Sequence, residues 1–116
     1  MVRYSIEKYL HKPGFVLISS RGFTAVVTPE VAQRFERLVR RARPRGWWQL
    51  RLLLELAQHG RVAANAAHWV RGRAADYEVH YQRSLDAIMK RAGARYVPGP
   101  RGGGWAAYYE LVGDGE

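Results

Sequence analysis

The 116-residue sequence predicts an α+β domain. Three observations predict it. Two short β-type runs, 15–19 and 23–27, flank the tight connection Ser20-Arg21-Gly22, which is the pattern of a hairpin. Between 29 and 92, apolar residues recur at helical spacing. Near the end, a Gly-rich tip at 98–104 separates two further extended runs, 94–97 and 105–111.

The elements follow in order. Residues 2–12 are mixed and predict a short helical turn or an irregular lead-in, closed by the turn Pro13-Gly14. The N-terminal hairpin covers 15–27. Thr28-Pro29-Glu30 then starts a helix: Thr28 can cap it, and Pro29 suits its first position. The stripe Val31, Phe35, Leu38, Val39 and Ala42 marks the buried face of this Arg-rich helix, 29–43. Arg43-Pro44-Arg45-Gly46 breaks it. A second helix spans 47–58. Leu50, Leu53, Leu54 and Ala57 share one face, and Leu52 and Leu56 widen it, so burial on more than one side is expected. His59-Gly60 ends it. An alanine-rich stretch predicts a short helix at 62–70. A longer helix runs over 74–92, with Tyr77, Tyr81, Leu85, Ile88 and Ala92 on one arc and Asp76, Val79, Arg83, Asp86 and Lys90 on the other. Helices over 47–92 form the core, and the hairpin 95–111 closes the chain. No repeat and no linker divides it, so 1–116 reads as a single domain. The four Trp, seven Tyr, three Phe and 47 % apolar content supply material for one core and exclude a wholly disordered chain.

Charge narrows the function classes. Sixteen Arg and three Lys outweigh ten carboxylates, for a formal charge of +9. Such a surface attracts polyanions. The preference for Arg over Lys also fits a GC-rich genome. Cysteine is absent, which excludes disulfide and thiolate chemistry. No apolar run reaches membrane-spanning length, and 1–11 is too polar for a secretory leader, so a cytoplasmic protein without a membrane partner is expected. His11, His59, His68 and His80 lack metal-ligand spacing. Ser84 and His80 form an i,i+4 pair with no third group, so no catalytic residue is assigned. Gly102-Gly103-Gly104 lacks the Lys-Ser/Thr of a phosphate loop. The expectation is a protein without catalysis, metal or cofactor.

Successive helices followed by a Gly-rich hairpin follow the winged helix-turn-helix order, with an N-terminal β-hairpin and an additional Arg-rich helix in front. In that order 47–58 braces, 62–70 opens the motif, 74–92 reads base edges and 96–111 is the wing. Residues 47–111 resemble the DNA-binding effector domain of winged-helix response regulators. The resemblance rests on the Leu-rich run Leu52-Leu53-Leu54-Glu55-Leu56-Ala57-Gln58-His59-Gly60-Arg61-Val62, on the segment ending at Trp69, on Val79-His80, and on Arg101-Gly102-Gly103-Gly104-Trp105. The chain departs from the family at Ser84, where the family carries Leu, and at Ala66-Ala67-His68. The resemblance implies double-stranded DNA as partner, commonly bound as a homodimer, and a role in transcription regulation.

Candidate residues follow. Arg83 suits bidentate reading of guanine, Gln82 suits adenine, and Val79 suits a thymine methyl. Arg71, Arg73, Lys90, Arg91 and Arg95, with Arg101 at the wing tip, are candidates for phosphate contacts. Ordinary solvated side chains account for the same pattern, and Asp76, Glu78 and Asp86 offset the charge. The densest basic run is elsewhere: Arg34, Arg37, Arg40, Arg41, Arg43, Arg45 and Arg51 face only Glu36. This second basic face, with Trp47-Trp48 beside it, keeps two alternatives open. One is an inhibitor or adaptor docking an acidic protein such as an RNA polymerase subunit. The other is an RNA-binding protein.

Overall fold

A computed structural model describes residues 2–65, 78–100, 102 and 106–113, with the backbone alone over 78–82. Its described elements are β1 (Tyr4–Lys8), β2 (Val16–Ser20), β3 (Phe23–Val27), α1 (Pro29–Ala42), α2 (Trp47–His59), β4 (Arg61–Ala63), α3 (Glu78–Arg91), β5 (Ala94–Val97) and β6 (Tyr108–Leu111). Among the described residues there are thus three helices and two three-stranded antiparallel sheets, ordered β1-β2-β3 and β4-β6-β5.

The N-terminal hairpin is the middle and one edge of the first sheet. Residues 2–12 depart from the expected lead-in: β1 pairs along β2, with Ile6 opposite Ile18 and Tyr4 opposite Ser20. The period-two alternation of Tyr4 and Ile6 with Ser5 and Glu7 explains the strand, since it puts the two apolar residues on the inward face. There Tyr4 meets Phe35 of α1 edge to face, with ring centroids 5.2 Å apart.

Thr28 caps α1 as its residue type requires: its Oγ1 accepts a hydrogen bond from the Val31 N–H at 3.3 Å. The helix ends at Arg43, whose backbone is left-handed (φ 51°) and whose N–H donates to the Val39 carbonyl. Phe35, Leu38, Val39 and Ala42 are buried, and so is Ala32. In α2 the buried set is Leu50, Leu52, Leu53, Leu54, Leu56 and Ala57, so this helix is enclosed on several sides. Gly60, at φ 74°, returns its N–H to Leu56 and stops the helix.

Arg61 to Ala63 form a strand where the alanine-rich composition predicts the start of a helix. The pairing of Val62 with Tyr109 on β6 decides the matter, because it buries Val62 to 1 % exposure, a gain that a solvent-facing helical turn lacks. The remainder of the expected 62–70 helix, from 66 on, lies outside the described residues, as does 74–77 of the expected reading helix. The last hairpin has its first arm as expected and a shorter return arm. Its return strand begins at Tyr108, and Ala106 just before it is left-handed (φ 59°), which breaks the extended run.

One cluster of buried side chains joins the two sheets and the three described helices. It includes Ile18 and Val27 from the first sheet, Val62 and Tyr109 from the second, and Leu85, Ile88, Met89 and Ala92 from α3 and its end.

Candidate nucleic-acid interface

Helix α3 turns one face to solvent because its other face is committed to the core. Leu85, Ile88 and Met89 are fully buried, which turns Arg83, Ala87 and Lys90 outward, where all three are exposed. Arg83 stands near the centre of this arc. Val79 and Gln82 lie on the same helix, but their side chains fall outside the described residues. So do Arg71, Arg73 and Arg101 altogether.

The remaining described candidates on α3 and the hairpin each have a partner within the fold. Lys90 pairs with Asp86 one turn earlier at 2.9 Å. Asp86 also accepts a 2.9 Å hydrogen bond from the Tyr109 hydroxyl, which fastens α3 to the central strand β6. The Lys90 bond, helped by that of Tyr109, holds the Asp86 carboxyl below the usual carboxylate range against the opposing effect of burial. Burial, reinforced by Asp86, pushes the Tyr109 phenol well above its ordinary value. Arg91 donates from Nε to the Ala42 carbonyl at 2.8 Å and so caps the C-terminus of α1. Arg95 reaches across the strands to Glu110 at 3.2 Å. On the other edge of the same sheet, Arg61 lies over the Tyr108 ring, 5.0 Å from its centroid.

The second basic face divides into two groups. Arg34 and Arg51 depart from the expectation of a common surface. Arg34 Nη1 donates to the Ala57 carbonyl in the last turn of α2 at 2.8 Å, a cation placed at the negative end of a helix. Arg51 pairs with Glu55 at 3.2 Å along α2. Arg40, Arg41, Arg43 and Arg45 are exposed, and Arg37 is half-buried. The two aromatic residues after them serve different neighbours. The Trp47 indole lies against Gly22 in the β2–β3 turn, so closely that a methyl group added at Gly22 would overlap the ring. Trp48 packs on the core and borders a cleft of about 620 Å³.

That cleft lies between the α1–α2 corner and α3. It is lined by Arg43, Arg45, Gly46, Trp48, Gln49, Ser84, Ala87 and Arg91, and among the described residues no carboxylate stands in its wall. Gln49 is buried, and its Oε1 accepts the Arg45 N–H at 2.6 Å, which fixes the backbone of the corner. The composition of 43–48, two charges and aromatic bulk around a helix break, carries a trace of this site. Its third wall, from Ser84, Ala87 and Arg91, comes from a distant helix and has no local signature.

No helix among the described residues is long and apolar enough to cross a membrane. Among those residues no three His, Asp or Glu side chains gather into a metal site. No family model, no curated protein and no solved structure matches the chain.

Proposed function

We propose that the chain is a small winged-helix protein that binds duplex DNA, with α3 as the reading helix and β5–β6 as the wing, and that it acts as a transcriptional regulator without catalysis. One observation carries the reading: the order β4-β6-β5 combined with the chain path. The strand that leaves α2 pairs with the last strand, and the strand that leaves α3 pairs with it on the other side. This path sets α3 beside a hairpin and leaves Arg83 on its outward arc, the disposition that a helix needs to enter a major groove while a hairpin tracks the backbone. The +9 charge supports the same partner.

The test is selection of bound duplexes from a random pool. A recurring motif a few base pairs long is the expected result. Recovery of unenriched sequence, or of no duplex at all, removes the base-reading role. The adaptor reading draws less support than the composition implied, because Arg34 and Arg51 are engaged within the fold.

A further inference from the structure

Three arginines and a tryptophan line one cleft, and they come from different parts of the chain. Arg43 and Arg45 flank Pro44 at the α1–α2 corner, Trp48 stands in the first turn of α2, and Arg91 comes from the last turn of α3. Among the described residues no carboxylate pairs with any of the three arginines. Arg91 spends Nε on Ala42, which orients its two terminal amino groups without consuming them. Gly46 opens α2 without a capping side chain, so the positive end of that helix borders the same space.

We propose that this cleft binds a phosphate ester. Guanidinium groups carry forked donors that match phosphate oxygens in pairs, and three arginines line this one cleft. Among the described residues the wall holds no carboxylate, so its charge favours an anion. A volume of about 620 Å³ exceeds what a bare phosphate needs and suits the size range of small-molecule sites, leaving room for the organic part of the ester against Trp48. Two sources supply this chemistry: a free nucleotide, and a phosphodiester of a duplex lying along α3. The proposal does not rest on base reading by α3, since guanidiniums take the phosphate whichever molecule carries it.

The experiment titrates the protein with adenosine triphosphate and, separately, with a labelled short duplex, and follows heat and tryptophan fluorescence. Arg43→Gly/Arg45→Ala removes two of the three charges. Both residues are exposed, and glycine suits the left-handed backbone at 43, so the fold is retained. Arg3→Ala/Arg21→Ala removes equal charge elsewhere, at two exposed residues, and serves as control. The expected result is a dissociation constant raised about tenfold or more in the cleft variant and much less in the control, with the optical response lost in Trp48→Phe. A loss with triphosphate identifies a free nucleotide as ligand, and a loss with duplex alone identifies the DNA backbone. Equal losses in cleft variant and control, or binding of neither probe, overturns the proposal. Duplex binding that is indifferent to the cleft variant, with no cleft-dependent binding of triphosphate, overturns it while leaving the DNA reading standing.

Discussion

The Tyr109 hydroxyl donates to Asp86 at 2.9 Å, and this bond ties helix α3 to the central strand of the second sheet. Tyr109 is otherwise buried, so its hydroxyl depends on this partner. Removal of one partner costs more than the bond itself contributes, because the other loses its mate in a half-buried place. Tyr109→Phe should lower stability by about 1 kcal/mol. Asp86→Asn should cost a similar amount and also release Lys90. A double-mutant cycle in urea checks the pair: the two losses should add to more than the double variant shows.

The same pair predicts both limbs of the pH profile. The Asp86 carboxyl is held low in the folded protein by Lys90 first and Tyr109 second. Its contribution is therefore present above the ordinary carboxylate value of about 4 and is lost as the pH falls through the lower folded value. The Tyr109 phenol is held high, by burial first and Asp86 second. Its contribution is present below about pH 10, where the unfolded phenol keeps its proton, and fades as the pH rises beyond that. Asp86→Asn should flatten the acid limb of stability against pH, and Tyr109→Phe the alkaline limb, in chemical denaturation across the range. An unchanged alkaline limb in Tyr109→Phe would contradict the assignment.

Gly22 is held to glycine by its neighbour and not by its backbone angles. Its missing side chain makes room for the Trp47 indole, which joins the β2–β3 turn to the start of α2. Gly22→Ala should cost about 1–3 kcal/mol through overpacking. The cost should shrink when Trp47→Ala is present as well, and thermal melts of the two single variants and the double variant read this directly.

Much of this architecture is legible in the residues. The Thr28 cap, the Val31–Ala42 periodicity and the Gly60 stop are local features, and local physics settles them. The strands at 4–8 and 61–63 are less legible for a shared reason: each is short and owes its form to a partner strand distant in sequence. Three residues, Arg61-Val62-Ala63, carry no periodicity of their own, and the alanines after them favour a helix. Site residues divide in the same way. Arg83 is legible as an outward residue because the apolar stripe of α3 fixes its phase. Arg34 and Arg91 read as surface charge, because no periodicity reveals which carbonyl a guanidinium will cap.

Base reading and backbone binding separate by mutation. Arg83→Ala should relax sequence preference, at about 1–3 kcal/mol against the preferred base, because a bidentate contact to guanine carries that discrimination. Arg101→Ala, between β5 and β6 in the sequence, should weaken all duplexes alike. Competition between a selected and a random duplex measures both. Equal losses on the two duplexes for Arg83→Ala would move that residue from bases to phosphates.

The most direct measurement is the salt dependence of duplex affinity. Nineteen basic side chains against ten acidic ones supply the charge, and each neutralised phosphate releases a counterion, so the logarithm of affinity should fall linearly with the logarithm of salt concentration. Contact with about six phosphates predicts a loss of roughly a thousandfold between about 50 and 200 mM salt. An affinity that is flat across that range, or absent at its lower end, contradicts a DNA-binding surface on this protein.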